Sequence, residues 1–204
     1  IDHHKTAIND YKDFPISIKG IRNVNFAGCE LTWKYFFPVN SEIPLTVKLI
    51  GDYDTWKRSY KEDTLYFYYA LCTVDTSPCS KIWKSFLNVS PQSYAQIQEY
   101  LEKGKILSNY QAICNNEDIK IASFSTKFEG YNCIALNRVR RGSKVFEDGQ
   151  VFDKYDIAIS FYFNGKNWIV SMYSEKVDVS KIAVKYGGGG HKGAAGFICK
   201  KIPF

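Results

Sequence analysis

Residues 155–174, YDIAISFYFNGKNWIVSMYS, contain the clearest structural signal in this chain. Two runs rich in β-branched and aromatic residues flank Asn164-Gly165, a dipeptide typical of the two-residue type I′ turn of a β-hairpin. Upstream, DIKIASFST (118–126) and YNCIALN (131–137) have the same strand character. The sequence therefore predicts a mixed sheet within residues 118–204.

A predicted helix and a run of glycines follow this hairpin. Residues 178–186, DVSKIAVKY, suit a short helix capped by Asp178, and AAGFICK (194–200) suits a final strand. Between them lie Gly187 to Gly190 and His191. Four consecutive glycines lose much backbone entropy on folding, so we expect the bare backbone to serve a purpose. Amides of such a loop can cradle a phosphate, and His191 can add a hydrogen bond. A flexible linker is the alternative.

The middle of the chain, residues 61–117, is predicted to be a helical connector between two halves. Ser90-Pro91 is a helix-start signal, because proline is favoured at the first helical position. The stretch that follows, residues 93–116, has apolar side chains at three- and four-residue spacings, as a half-buried helix does.

Residues 1–60 predict part of a parallel α/β sheet. Ile1 is expected to end a strand, FAGCELTWKYFF (26–37) to form a helix, and LTVKLIGDYDTW (45–56) to form a strand that leads into a loop. Ligand-binding residues of such sheets lie in loops at the carboxyl ends of strands. The predicted fold class is α/β, with a parallel-sheet part, a connector and a smaller mixed-sheet part.

Asp2-His3-His4 places one carboxylate and two imidazoles in consecutive positions. Consecutive side chains of an extended segment point in opposite directions, so we expect one imidazole to bind a metal and the other to face a substrate. The carboxylate of Asp2 suits the fixing of a histidine tautomer. A turn with two solvent-exposed histidines is the alternative.

Asp52-Tyr53-Asp54 would present two carboxylates on one face if the segment is extended. Hard oxygen ligands suit manganese or magnesium, and an added histidine favours manganese. Two such ions can clamp both the attacking and the leaving oxygen of a phosphoester. Tyr53 and Trp56 can stack on a base. Ordinary surface acids and core aromatics are the alternatives.

The net charge of +6 lies in residues 118–204, which carry fourteen basic and eight acidic side chains. This favours polyanionic partners. Arg138, Arg140 and Arg141 can grip phosphate, with Arg138 as the first candidate, although surface arginines are the alternative. No run approaches the ~18 apolar residues of a membrane helix, so no membrane partner is expected. The six cysteines form no CxxC pair, which favours reduced thiols and a cytoplasmic protein.

Three segments, in this order, resemble the motifs of the DHH phosphoesterase family: IDHHKTA (1–7), LIGDYDTW (49–56) and VSMYSEKVDVSKIAVKYGGGGHKGAAGF (170–197). The resemblance implies a manganese-dependent hydrolase that cleaves phosphodiester bonds of short oligonucleotides or (cyclic) dinucleotides with a metal-activated water, as oligoribonucleases and exonucleases of this family do. It implies the C-terminal part of a DHH catalytic domain in residues 1–60 and a DHH-associated substrate-binding domain in residues 118–204.

The resemblance also implies roles for single residues. It implies that His3, Asp54 and Asp52 are metal ligands. It implies that His4 approaches the scissile phosphate and that Asp2 supports it. The residues implied to bind a substrate phosphate are Gly188, Gly189, Gly190, His191 and Arg138.

Two departures from the family pattern affect these implied roles. Tyr173 stands where the family often has an arginine. The family motifs that precede DHH are not in this sequence, so we expect a missing segment or a partner chain, including a second copy, to complete the metal site. The alternative function is a catalytically inactive nucleotide- or RNA-binding module.

Overall fold

The structure, a computed structural model, describes residues 1–139 and 142–204. The chain divides into two compact units, Ile1–Asn109 and Tyr110–Phe204. The fold class is mixed α/β, as predicted. The functional division at residues 60 and 117 stays a prediction. Within the described ranges, no helix is long and apolar enough to cross a membrane.

Helices dominate the first unit. They are α1 (Lys5–Lys12), α2 (Gly28–Phe36), α3 (Leu45–Thr55), α4 (Glu62–Leu71), α5 (Ile82–Phe86) and α6 (Pro91–Ala122), the last of which continues into the second unit. Helices α3 to α6 share a core that consists of Leu49, Phe67, Phe86, Ile97 and Leu101. The predicted helices over residues 26–37 and 93–116 are confirmed as α2 and as part of α6.

The predicted strand over residues 45–56 is wrong, because these residues form helix α3. A short apolar run fits either period, and here the spacing of the core-facing residues is helical: Leu45, Leu49 and Ile50 all pack against the first unit's core. The β-type contact described in residues 1–109 is an isolated parallel bridge between Asp2 and Arg22. The predicted parallel sheet is therefore reduced to this one bridge within the described part of the first unit.

A six-stranded sheet forms the second unit. Its strands are β1 (Ser123–Phe128), β2 (Tyr131–Asn137), β3 (Ile157–Phe163), β4 (Trp168–Tyr173), β5 (Gly189–His191) and β6 (Ala194–Cys199), in the order β1-β2-β3-β4-β6-β5. The pair β2–β3 is parallel and the other pairs are antiparallel. Two further helices are α7 (Lys144–Asp148) and α8 (Val179–Lys185), and residues Val151–Asp153 form a 3-10 helix.

Alternation along the strands gives this sheet two buried faces. On β2, Cys133 and Ala135 belong to the cluster that includes Ile182 of α8. Ile134 and Leu136 belong to a second cluster with residues of α7, against which Ile119 of α6 also packs. Successive strand residues point to opposite faces, so one strand serves both cores.

The predicted hairpin is confirmed, with a longer turn than the type I′ turn that was expected. Phe163 pairs with Trp168, so four residues connect β3 to β4. The Oδ1 atom of Asn164 accepts hydrogen bonds from the N–H groups of Lys166 and Asn167 at 3.0 and 2.8 Å. The strand predicted from residue 118 begins only at Ser123, because the residues before it continue α6.

Candidate functional site

The segment Asp2-His3-His4 lies immediately before α1, and the backbone holds it in place. The N–H of Asp2 donates to the carbonyl of Ile21 at 3.2 Å, and the carbonyl of Asp2 accepts from the N–H of Asn23 at 3.2 Å. These are the hydrogen bonds of the parallel bridge with Arg22. The hydrogen-bonded backbone at Asp2 and the helix that begins at Lys5 together fix the positions of His3 and His4.

The carboxylate of Asp2 is bonded to His4. Oδ1 of Asp2 accepts the backbone N–H of His4 at 2.8 Å and lies 2.9 Å from Nδ1 of the same residue. These bonds, the backbone one first, lower the pKa of Asp2 to about 2. An ionised carboxylate at this distance selects the tautomer of His4 with the proton on Nδ1, which leaves the lone pair on Nε2.

His3 meets Asp54, although the two residues are distant in sequence. Nε2 of His3 lies 3.3 Å from Oδ2 of Asp54, in the last turn of α3. The side chain of His3 is 16% exposed and that of Asp54 is 49% exposed. The rings of His3 and His4 lie 4.2 Å apart between centroids. The structure therefore brings together the two N-terminal motifs that the sequence singled out.

Asp52 does not share a face with Asp54, contrary to the expectation from an extended segment. Residues two apart on a helix point about 200° away from each other. Asp52 is only 4% exposed, and its Oδ1 and Oδ2 accept hydrogen bonds from the N–H of Ser59 at 2.8 Å and from the hydroxyl of Thr64 at 2.5 Å. The geometric reason for pairing Asp52 with Asp54 around one metal is thus absent.

The hydrogen bonds at Asp52 determine its ionisation. Burial by itself raises the pKa of this carboxyl, but the bonds from Thr64 and Ser59 outweigh burial and lower the pKa below its ordinary value. Asp52 is thus a buried carboxylate that secures the connection from α3 to α4. Its partners Ser59 and Thr64 were not identified from the sequence, since no local pattern marks a hydroxyl that approaches a carboxylate from the next helix.

Cys29 on α2 is another neighbour that the sequence did not mark. Its thiol donates to the carbonyl of Val47 at 3.6 Å. Burial, with smaller contributions from Glu30 and Asp54, raises the pKa of Cys29 to about 11. The thiol of Cys29 is therefore neutral at pH 7.

The fit of these residues to a metal ion is partial. An imidazole nitrogen and a carboxylate oxygen that converge are suitable donors for manganese. Within residues 1–139 and 142–204, however, no group of three or more histidine, cysteine, aspartate or glutamate side chains is placed to hold a metal ion. His3 and Asp54 therefore form part of a donor set.

The glycine run has a packing role in the second unit. Gly187, with φ +74°, ends α8, and the N–H of Gly188 donates to the carbonyl of Ala183 at 2.9 Å. A Cβ atom on Gly188 would lie 2.1 Å from the carbonyl oxygen of Gly196 on β6. A Cβ atom on Gly190, where φ is +144°, would lie 2.6 Å from the carbonyl oxygen of Ala194. The bare backbone is needed for close contact with β6.

Part of the predicted phosphate loop is an edge strand. Gly189, Gly190 and His191 form β5, the last strand in the sheet order, which pairs with β6. A Cβ atom on Gly189 would meet nothing within 4 Å, and the side chain of His191 is exposed. Open space at Gly189 and an exposed imidazole at His191 leave this edge accessible to a ligand.

Arg138 lies in a polar network between β2 and α6. Its guanidinium forms an ion pair with Asp118 and donates to Oδ1 of Asn115 at 3.2 Å. The amide of Asn115, which is buried, donates in turn to Asp148 at 2.7 Å. The structure thus gives Arg138 protein partners on α6. Arg140 and Arg141 lie outside the described residues.

Comparison with known proteins gives distant similarities. No family model matches the chain. The uncharacterized protein R106 of Acanthamoeba polyphaga mimivirus is 27% identical over 216 residues, which cover 99% of this chain and 48% of R106. The chain thus spans about half the length of that curated relative.

Three solved structures resemble the chain at TM-scores below 0.5. A pGpG-specific phosphodiesterase, PggH from Vibrio cholerae, has a TM-score of 0.42 at 11% identity, over 97% of this chain and 82% of that one. An uncharacterized protein from Helicobacter pylori G27 has a TM-score of 0.35 at 15% identity, over 99% and 68%. The DHH domain of a member of a ribosomal protein family has a TM-score of 0.46 at 10% identity, over 72% and 40%.

Proposed function

We propose that this chain belongs to a manganese-dependent phosphodiesterase that hydrolyses short oligonucleotides or (cyclic) dinucleotides. One observation carries the proposal: Nε2 of His3 lies 3.3 Å from Oδ2 of Asp54. A histidine of one motif and an aspartate of another, distant in sequence, converge on one place with the donor atoms that manganese accepts. The carboxylate of Asp54 is also accessible, since its side chain is half exposed.

The five residues at this place take different roles. His3 and Asp54 are the proposed metal ligands. A bound manganese ion would supply Lewis acidity to a phosphodiester. His4 is the proposed catalytic residue, because Asp2 holds its Nδ1–H and leaves Nε2 free to take a proton from an attacking water. Asp52, bonded to Ser59 and Thr64, is proposed to support α3 rather than to bind the ion.

The second unit is proposed to bind the phosphates of the substrate. Gly189 and His191 offer an accessible strand edge with an exposed imidazole, and Gly188 and Gly190 shape that edge by their contact with β6. Because Arg138 is paired with Asp118, we propose that it acts indirectly by holding β2 to α6. The excess of basic residues in positions 118–204 favours a polyanionic ligand.

The remaining metal ligands are proposed to come from polypeptide beyond these 204 residues, either in the same protein or in a partner chain. Two donors hold a divalent ion weakly, and catalytic sites supply at least three protein ligands in well-studied cases. A second copy of the chain is one source of the missing donors. A cytoplasmic location stays part of the proposal.

Binding of Mn²⁺ tests the proposal independently of turnover. Electron paramagnetic resonance of Mn²⁺ titrated with the protein should show binding that weakens about tenfold or more in His3→Ala and in Asp54→Asn, as expected when one of few ligands is lost. Asp10→Asn, which removes an exposed acid on α1, is the matched control and should bind like the wild type. Equal binding by wild type and His3→Ala would refute the metal site.

Hydrolysis of a 5′-phosphorylated diadenylate then distinguishes the two candidate functions. The partial donor set among the described residues favours a second candidate, a nucleotide-binding module without activity. In the assembly that supplies the remaining metal ligands, an enzyme should release mononucleotide with Mn²⁺, and His4→Ala should abolish the release. A module should bind the dinucleotide and leave it intact with Mn²⁺, Mg²⁺, Co²⁺ or Zn²⁺.

A further inference from the structure

The connection from α3 to α4 contains three residues in backbone conformations that favour glycine, and none of them is glycine. Trp56, Arg58 and Lys61 have φ values of +56°, +55° and +52°. Trp56 is left-handed, with ψ of 27°. Lys61, with ψ of −128°, occupies a region in which a Cβ atom is strongly disfavoured. The connection begins directly after the turn of α3 that holds Asp54.

A buried carboxylate holds this strained connection in place. Asp52, only 4% exposed, accepts the backbone N–H of Ser59 from the middle of the connection. The same carboxylate accepts the hydroxyl of Thr64 in the first turns of α4. The N–H of Lys61 donates to the carbonyl of Arg58 at 3.2 Å. The strain is therefore sustained by contacts of Asp52 with the middle of the connection and with α4.

The three positions carry large side chains, although any side chain raises the energy of a backbone with positive φ. The indole of Trp56 is 59% exposed, so it contributes little to the core. Arg58 and Lys61 are exposed cations. Glycine at any of the three positions would relieve the backbone, and a smaller residue at 56 would remove exposed apolar surface. Residues with strained backbone conformations cluster at active sites and ligand-binding sites.

We propose that the segment Trp56–Lys61 is the nucleotide-binding loop of the first unit. The indole of Trp56 stacks on a base, while Arg58 and Lys61 contact the phosphate that follows. Asp52 is a positioning residue for this loop. The inference rests on the proposed function for the class of ligand, a short single-stranded oligonucleotide. An aromatic face beside cations is the general means of binding such a strand without regard to sequence.

Binding without metal separates this inference from the proposed hydrolysis. The probe is a 5′-phosphorylated, 3′-fluorescein-labelled triadenylate, and the measurement is fluorescence anisotropy in EDTA with the 204-residue protein. Stacking of one base is worth about five- to hundredfold in affinity. Trp56→Gly should therefore lose at least fivefold, while Trp56→Phe should keep most of the wild-type affinity. Phe36→Ala, which truncates another exposed aromatic of the first unit, should bind as the wild type does.

Stability measurements show whether the binding loss is a folding defect. Trp56→Gly should melt at the wild-type temperature or above it, because glycine relieves the left-handed strain. Lys61→Gly should weaken binding and reduce the slope of log affinity against log salt concentration by about 0.7, the value for one phosphate contact with a single strand. Lys105→Ala, an exposed lysine on α6, should leave that slope unchanged.

Three results would overturn the inference: wild-type affinity in Trp56→Gly, an equal loss in Trp56→Phe, or no binding of the probe by the wild type. Unchanged binding by Trp56→Gly together with hydrolysis at the wild-type rate would refute the binding role of the loop and leave the proposed hydrolysis intact. Lost binding by Trp56→Gly, with no hydrolysis by the wild type, would support the binding role of the loop and refute the proposed hydrolysis.

Discussion

Alanine at Gly188 and alanine at Gly189 should have opposite consequences, although the two positions are adjacent and the substitution is the same. A Cβ atom at Gly188 would lie 2.1 Å from the carbonyl oxygen of Gly196 and 2.7 Å from Cβ of Phe197. A Cβ atom at Gly189 would meet nothing within 4 Å. Neither glycine has a positive φ, so the backbone conformation itself tolerates alanine at both.

The magnitude follows from the atoms that would have to move. A carbon and a carbonyl oxygen need to be more than 3 Å apart. Because the obstructing atom at Gly188 belongs to the backbone of β6, the chain at the start of β5 must move away from β6. Overpacking against a rigid neighbour costs about 1–3 kcal/mol, and we expect Gly188→Ala to lie at the upper end of that range. Gly189→Ala should be neutral, or stabilising by about 0.4–1 kcal/mol, because alanine restricts the unfolded chain.

Urea unfolding followed by tryptophan fluorescence gives the free energy of unfolding of both variants. Equal destabilisation of the two would refute the packing explanation, and so would a wild-type midpoint in Gly188→Ala. Because Gly189→Ala should keep the fold, its affinity for the labelled triadenylate reports on the strand edge alone. A loss of affinity in this variant would support a phosphate contact at the backbone of β5.

Two further predictions concern charged side chains that form hydrogen-bond networks. Asp52→Ala should cost about 2–3 kcal/mol at pH 7, because it removes two charge-assisted hydrogen bonds and leaves Thr64 unpaired. Since the pKa of Asp52 is lowered in the folded state, its contribution is present above about pH 4, the unfolded value. It is lost as the pH falls through the folded value, so wild type and Asp52→Ala should converge in urea titrations at acidic pH. Arg138→Ala should cost about 1–3 kcal/mol in the same assay, because it removes the ion pair with the partly exposed Asp118 and one of the two hydrogen bonds to Oδ1 of Asn115, and stability equal to that of the wild type would contradict the network.

Much of the second unit could be predicted from the sequence because its signals are local. Runs of β-branched and aromatic residues and the Asn164-Gly165 turn predict β3 and β4. Outside this unit, Ser90-Pro91 marks the start of α6 in the same local way. The turn length was missed because the side chain of Asn164 closes a four-residue loop that the dipeptide alone does not indicate. The start of β1 was placed too early because residues 118–122 suit a helix as well as a strand.

The first unit could be predicted less well because its deciding contacts are not local. The run LTVKLIG (45–51) satisfies the strand and helix periods over a short length, and packing against α4 and α6 decides for the helix. That outcome changes the site, since a helix turns Asp52 inward to Thr64 and leaves Asp54 for His3. A pair of aspartates looks equivalent in sequence and is not equivalent on a helix.

The sequence by itself determined the chemical groups that this protein can use: imidazoles and carboxylates in two short motifs, a glycine run, and a basic C-terminal half. It also determined the strands of the sheet, because runs of β-branched and aromatic residues are a signal carried by neighbouring residues. Only the tertiary structure decided that His3 meets Asp54, that Gly188 must be bare against β6, and that Trp56 stands exposed on a strained connection. Those facts depend on which residues distant in sequence come within contact distance, and packing alone settles that.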